Sequence, residues 1–397
     1  MALTTAHEPP ARLIDLTRLA SRAGRRMTGI DRVERAYLGE LLDRQTPLFA
    51  LMRTPYGYLL LDRSGAQDFC SRLDTCEFGA PDGLARLGRR RPEPVRALES
   101  RARERALARC LRSGLGRMLR RSIPAGAAYL NLGHSNLTPR TLGAVRSVQN
   151  SRLAVFIHDT IPLDFPQYQR EGSVERFRQH LDLAGQADII LTSSDAAAQG
   201  ISRHLSDPPP IHAAPLGVDL KTPDRSALPG GIETDRPYFV VLGTLEPRKN
   251  IGLLLDVWER LGAEPPLLYL VGRRGWNNEE VFARLDAGVP GVTELPDLSD
   301  GAVAALLSGA RALLFPSEAE GFGLPLAEAA ALGTPVVCGD LAICREVLGE
   351  VGIYLPTSDP YPWENTVRTL TEQTPPDPPS YAAPTWADHF AVALSVT

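Results

Sequence analysis

The sequence predicts an α/β protein made of two doubly wound, Rossmann-like domains that face each other across a cleft. Three features of the chain lead there. At 397 residues it is too long for one ordinary hydrophobic core. Apolar runs of strand length alternate with helical patterns, most regularly after residue 237, and that rhythm builds parallel sheets. Between the halves, "SDPPPIHAAPLGVDLKTPDRSALPGGIETDRP" is dense in Pro and Gly, so most of Leu220 to Pro237 reads as a linker. The domains are then 1–220 and 237–375, with 376–397 as a tail helix returning to the first.

In chain order, "RLIDLT" reads as a strand and "GIDRVERAYLGELLDR" as a helix. "AVFIHD" and "ADIILTSS" read as buried parallel strands that deliver His158, Asp159, Ser193 and Ser194 at their C-terminal ends, where open α/β sheets place their sites. Past the linker, "YFVVLGT" is a strand. "NIGLLLDVWERL" is a helix with Ile251, Leu254, Leu255 and Trp258 on one stripe. "LLYLVG" is a strand, and "EEVFARLDAG" and "LSDGAVAALLSGA" are helices, the latter with Asp300 near its start. "ALLFPS" is a strand, "PLAEAAALG" a helix closed by Gly333, and "TPVVCG" another strand. "PTWADHFAVAL" supplies the tail helix.

Composition narrows the class. With 43% hydrophobic and 23% charged residues the chain reads as soluble and globular. A net charge of -4 argues against nucleic acid as a partner. The five cysteines are scattered without zinc spacing, which fits a reduced, cytoplasmic compartment. The N-terminus has no continuous apolar run of the signal-peptide kind, and no stretch is long enough to span a bilayer. Only Lys221 and Lys249 are lysine among 43 basic residues, so a lysine inside a motif carries extra weight.

One region breaks the pattern. From Arg86 to Arg121, thirteen arginines face three glutamates, a local net of +10. Leu107, Leu111, Leu115, Met118 and Leu119 form a helical apolar stripe among them. A basic amphipathic helical insertion of this kind can lie on an anionic membrane surface, peripherally on the inner face of the cytoplasmic membrane. The alternative is a helix packed on its own domain with its arginines solvated or paired.

Three segments can carry chemistry, each just after a strand. In "SEAEGFGLPLAEAAALG", Gly321 and Gly323 let backbone approach a ligand, and Pro325 suits a first helical turn. The amides that open this helix suit an anion or an oxygen-rich ligand. Glu328 can accept two ribose hydroxyls and Glu320 can face a sugar; otherwise both merely complement the helix dipole. In "GTLEPRKN", Arg248 and Lys249 open a helix with Asn250 as a possible cap, a site for a diphosphate or simply a solvated basic turn. In "VGRRGWNN", Arg273 and Arg274 can reach the same phosphates.

"FPSEAEGFGLPLAEAAALGTPVV" resembles the two-glutamate signature of the retaining glycosyltransferases of family 4, which have the GT-B architecture. "LGTLEPRKNI", "LVGRRGW" and "PLGVD" match further blocks of that family in order, and "MTGIDRVERAYLGELL" and "FIHDTIPLDFPQY" match more loosely. The resemblance is specific from about Tyr238 to Leu355, and it makes 1–220 the acceptor side and 237–375 the nucleotide-sugar side. It implies that Lys249, with Arg248 beside it, binds the donor diphosphate and that Glu328 holds the ribose. Glu320 would contact the transferred sugar, aided by the amides of Gly321, Phe322, Gly323 and Leu324. Gly29 would allow close approach from the N-terminal domain, and His158 would hydrogen-bond the donor sugar. Many members carry an arginine where this chain has Thr244, and Arg273 is the candidate replacement.

The resemblance further implies transfer of a hexose with retention, to a glycan or lipid-linked oligosaccharide of a bacterial surface polysaccharide. No cofactor and no metal are expected beyond the nucleotide-sugar substrate, for which the style of "LEPRKN" suggests GDP-mannose. A sugar-nucleotide epimerase or phosphorylase on the same fold, and a non-catalytic membrane-associated scaffold, are the competing readings.

Overall fold

In a computed structural model the residues described are 8–86, 90–373 and 380–397. Arg89 of the basic stretch, the first seven residues of the amino-terminal reading and residues 376–379 of the expected tail lie outside them.

The first sheet draws on residues 12–213. Its strands are β1 (Arg12–Asp15), β2 (Leu48–Thr54), β3 (Gly57–Asp62), β4 (Ala108–Cys110), β5 (Ala128–Asn131), β6 (Arg152–Phe156), β7 (Ile189–Thr192) and β8 (Ile211–Ala213), in spatial order β4-β3-β2-β1-β5-β6-β7-β8. From β2 through β1 to β8 every pairing is parallel. The β2–β3 and β3–β4 pairings are antiparallel, which corrects the expectation of a uniformly parallel sheet. The cause is local: Thr54-Pro55-Tyr56-Gly57 is too short for a crossover helix, so the chain can only return antiparallel. Gly57 sits at φ +132°, and a Cβ there would lie 2.0 Å from the Cys110 carbonyl.

The second sheet is fully parallel. It consists of β9 (Tyr238–Leu242), β10 (Leu267–Val271), β11 (Val292–Leu295), β12 (Ala312–Phe315), β13 (Val336–Gly339) and β14 (Gly352–Leu355), in order β11-β10-β9-β12-β13-β14. Chain order runs one way from β9 to β11 and the other way from β12 to β14. The switch point therefore falls between the C-terminal ends of β9 and β12, where such sheets bind ligands. The helix Ile251–Leu261 covers one face with Ile251, Leu254, Leu255 and Trp258 all buried.

The tail helix Trp386–Ala393 docks on the first domain. His389 is fully buried, its Nδ1 3.0 Å from the Ala214 carbonyl and its Nε2 2.9 Å from the Tyr37 hydroxyl. The buried Arg12 guanidinium donates to Thr397 Oγ1 at 2.7 Å and to the Leu394 carbonyl at 3.1 Å.

The arginine-rich stretch is not one amphipathic helix. It folds as a helix Glu93–Glu104, the edge strand β4, and a second helix Leu115–Ser122. The apolar stripe splits accordingly. Leu115, Met118 and Leu119 enter the core, whereas Leu107 and Leu111 stay 53% and 73% exposed. Several arginines are spent within the fold: Arg91 on the buried Glu99 at 2.5 Å, Arg103 on Asp82 at 3.0 Å, Arg101 on Glu104 at 2.8 Å. Arg105, Arg109, Arg112, Arg117, Arg120 and Arg121 are exposed and have no acidic partner among the described residues.

The domains touch through polar contacts. Glu346 accepts from the Asp195 and Ala196 amides at 2.7 and 3.0 Å, at the start of the helix Asp195–His204. Trp276 Nε1 donates to the Tyr168 carbonyl at 3.0 Å, the Tyr168 hydroxyl bonds Glu318, and Arg26 pairs with Asp300 at 2.6 Å.

Candidate active site

The loop after β12 does what its glycines permit. Gly323 at φ +86° opens the helix Leu324–Ala331, with Pro325 in its first turn. At Gly321 the backbone passes so close to the first domain that a Cβ would lie 3.1 Å from Asp159 Oδ2 and 3.3 Å from the His158 carbonyl. Phe322 is buried beside it, and Leu324 reaches within 3.8 Å of a Cβ built on Gly29. Gly29 is the first residue of the helix Gly29–Asp43.

The loop after β9 brings the cations. Lys249 closes the short turn Pro247–Lys249, is 8% exposed, and places Nζ 2.5 Å from Glu320 Oε2 and 4.3 Å from the centre of the Phe315 ring. Arg248 donates to the same Glu320 oxygen at 3.1 Å and to the Ala319 carbonyl at 2.8 Å, and pairs with the buried Glu246 at 2.7 Å. Gly243, Thr244, Lys249, Phe315 and Ser317 line a narrow crevice between the ends of β9 and β12. The Ser317 Oγ is buried there without a hydrogen-bond partner. Asn250 does not cap the following helix, contrary to expectation. It sits at φ +51°, and its side chain donates to the Thr357 carbonyl at 2.9 Å.

Electrostatics sets the charge states. Burial opposes ionisation of Glu320, but Arg248 and Lys249 outweigh it and hold the carboxyl at about 2. Burial pulls Lys249 below an ordinary lysine, and Glu320 works against that pull. Burial also opposes the Arg248 guanidinium, yet Glu320, Glu246 and Asp159 keep it firmly protonated. An anion entering here would meet the charged Arg248 guanidinium and a Lys249 side chain held in place by Glu320.

On the first domain, His158 is buried and donates from Nε2 to the Leu132 carbonyl at 2.7 Å; desolvation, then neighbouring His134, takes its pKa down to about 3. It is a neutral imidazole whose Nδ1 is left to accept a hydrogen bond. Asp159 is a residue that sequence reading left without a role. Its Oδ1 accepts the Ile161 amide at 3.0 Å, and burial lifts it to about 6 against the attraction of Arg248. Its adjacency to His158 was the available signal.

Glu328 lies across the cleft from Arg32 of the helix Gly29–Asp43, with Arg32 Nη1 2.6 Å from Oε1. That oxygen is buried and the contact is not aligned as a hydrogen bond. The third basic segment does not converge on these groups. Arg273 is 75% exposed and pairs with Asp297 at 2.6 Å, and Arg274 pairs with Glu294 and Asp286. Among the described residues, no cluster of His, Cys, Asp or Glu has the arrangement to hold a metal ion, and no helix is long and apolar enough to cross a membrane.

Compared with solved structures, the chain superposes on Anabaena HepE, crystallised with UDP and glucose, with a TM-score of 0.60 over 92% of this chain and 90% of that one, at 15% identity. It also matches sucrose-phosphate synthase of Thermosynechococcus elongatus with a TM-score of 0.50 over 68% and 67% of the two chains, at 20% identity. The fold is GT-B. Residues 236–373 of this GT-B chain match the family model described as "Glycosyl transferases group 1". That span is the second sheet with its helices, including Lys249, Glu320 and Glu328.

Among curated relatives, the serotype-specific mannosyltransferase WbdA of Escherichia coli is 32% identical over 221 residues, which is 50% of this chain and 27% of WbdA. The O-antigen chain mannosyltransferase B of Escherichia coli is 30% identical over 221 residues, 52% of this chain and 58% of the relative. The O-antigen chain mannosyltransferase RfbU of Salmonella typhimurium is 25% identical over 248 residues, 62% and 67% of the two. The match thus spans about a quarter of WbdA and just over half of mannosyltransferase B.

Proposed function

We propose that this protein is a retaining glycosyltransferase that moves a hexose, with mannose favoured, from a nucleotide-sugar to a glycan or lipid-linked acceptor in surface polysaccharide synthesis. The observation that carries the reading is the Lys249–Glu320–Arg248 cluster at the switch point of the second sheet, with Glu328 on the helix that follows. Lys249 would stabilise charge growing on the departing diphosphate, and the amides opening the helix at Leu324 would share it. Glu320 would give up part of its hold on Lys249 and face the hexose. His158 would accept from a sugar hydroxyl through Nδ1. The departing phosphate oxygen would take the acceptor proton on the face it leaves. The names of the mannosyltransferase relatives support mannose, and HepE with UDP keeps uridine in view as the base.

Calorimetric titration with UDP, GDP and ADP tests this directly. One nucleotide should bind in the micromolar range, and Glu328→Ala should weaken it at least tenfold, about 1.4 kcal/mol. Absence of binding by all three would remove the donor site.

Membrane association belongs to the same reading in altered form. β4 runs parallel to β1, so Leu111 emerges at the C-terminal end of the sheet, about 14 Å from β1 at three strand spacings. Exposed Leu107 and Leu111 with unpaired arginines form a surface suited to anionic lipid. Changing Arg105, Arg109, Arg112 and Arg117 to Gln should cut binding to phosphatidylglycerol vesicles at least tenfold at 0.1 M salt. Unchanged sedimentation with vesicles would leave this edge merely solvated.

A further inference from the structure

Glu328 is an expensive residue where it sits. Its side chain is only 14% exposed, burial lifts its pKa, and its nearest acidic company, Asp300 and Asp219, pushes in the same direction. The counter-charge comes from the other domain: Arg32 Nη1 stands 2.6 Å from Oε1. On its own helix Arg32 follows Asp31, whose carboxylate is occupied by Arg18 and Arg22 at 2.9 and 2.5 Å, so Arg32 is left to reach across. The reach is short because that helix begins at Gly29, against Leu324 at the start of the helix that carries Glu328. A carboxylate can accept from two vicinal hydroxyls only while it is ionised and its plane is held. Oε1 has no aligned hydrogen bond of its own, so it keeps acceptor capacity for a ligand.

Resting on the reading of Glu328 as the ribose carboxylate, we propose that Arg32 is a positioning residue for the donor, holding the Glu328 carboxylate in place for the 2′- and 3′-hydroxyls from the opposite domain. Recognition of the ribose then depends on the domains being closed, because its two halves lie on different domains. Arg273, which the sequence offered as the missing cation, is engaged at the surface, and Arg32 is the first-domain cation that meets the donor helix.

The test is sugar discrimination. Affinity for the nucleotide that binds, UDP or GDP, is compared with its 2′-deoxy form by calorimetry in the wild type, Arg32→Ala, Arg32→Lys and Glu328→Ala. The wild type should prefer the ribonucleotide at least tenfold, and Glu328→Ala should abolish the preference. Arg32→Ala should reduce it to threefold or less, and Arg32→Lys should restore part of it. The residual preference in Arg32→Ala should also weaken as pH falls, because Glu328 without its counter-charge protonates more readily. An unchanged preference in Arg32→Ala, with thermal stability retained, overturns the role of Arg32 while leaving the donor site standing. A wild type that binds the nucleotide but does not distinguish ribose from deoxyribose overturns the ribose reading of Glu328 and this proposal with it. A wild type that binds neither form overturns the donor site itself.

Discussion

Lys249→Ala should lower kcat for nucleotide release from the accepted sugar nucleotide by on the order of 10²–10³, the cost of removing a fixed charge-stabilising group from an active site. The lysine is buried and held 2.5 Å from Glu320, so its position is fixed before charge develops and only its pairing with Glu320 has to loosen. The change should not unfold the protein, because Arg248 still neutralises Glu320 at 3.1 Å. Glu320→Gln should give a comparable loss. The double variant should be far less than additive, since each residue sets the position of the other. A loss below about fivefold in Lys249→Ala, measured at saturating donor, would remove this pair from the chemistry.

Gly272→Ala should be strongly destabilising. Gly272 lies at φ +147°, a conformation that costs an L residue dearly, and a Cβ there would sit 2.0 Å from the Gly243 carbonyl. Relief requires moving the end of β9, which carries Thr244 and the turn with Lys249. The expected loss is at least about 3 kcal/mol by urea denaturation, with nucleotide binding weakened in parallel. Gly83→Ala is the control. Nothing lies within 4 Å of its Cβ, it starts a short helix, and it should be neutral or slightly stabilising. Equal stability of the two variants would show that the close pass of β10 over β9 is not constrained.

How much was legible in the sequence depended on how local the cause was. The four central strands of the second domain, β9, β10, β12 and β13, could be read because each is a continuous buried apolar run, whereas the edge strands β11 and β14 are only half-buried and went unread. The hairpin of β2 and β3 and the edge strand β4 were missed. β2 (LFALMRT) and β3 (GYLLLD) are apolar runs of strand length that the reading passed over, with only Thr54-Pro55-Tyr56-Gly57 to mark the turn between them, and β4 has only three residues to announce it. The basic stretch misled for a related reason. Leu107, Leu111, Leu115, Met118 and Leu119 do fall at helical spacing, but Gly114 and the pairing of Ala108–Cys110 with β3 break the helix in between.

The sequence by itself determined much of the alternation of strands and helices, and the loops whose glycines and cations line the proposed donor site. These follow from periodicity, backbone freedom and charge within a dozen residues. The tertiary structure alone decided which charges meet. Arg273 turned outward to Asp297, Arg248 and Lys249 converged on Glu320, and Arg32 crossed the cleft to Glu328. Ion pairs a few ångströms long depend on where distant strands end and how two domains close. No local pattern in the chain encodes a distance between residues 32 and 328.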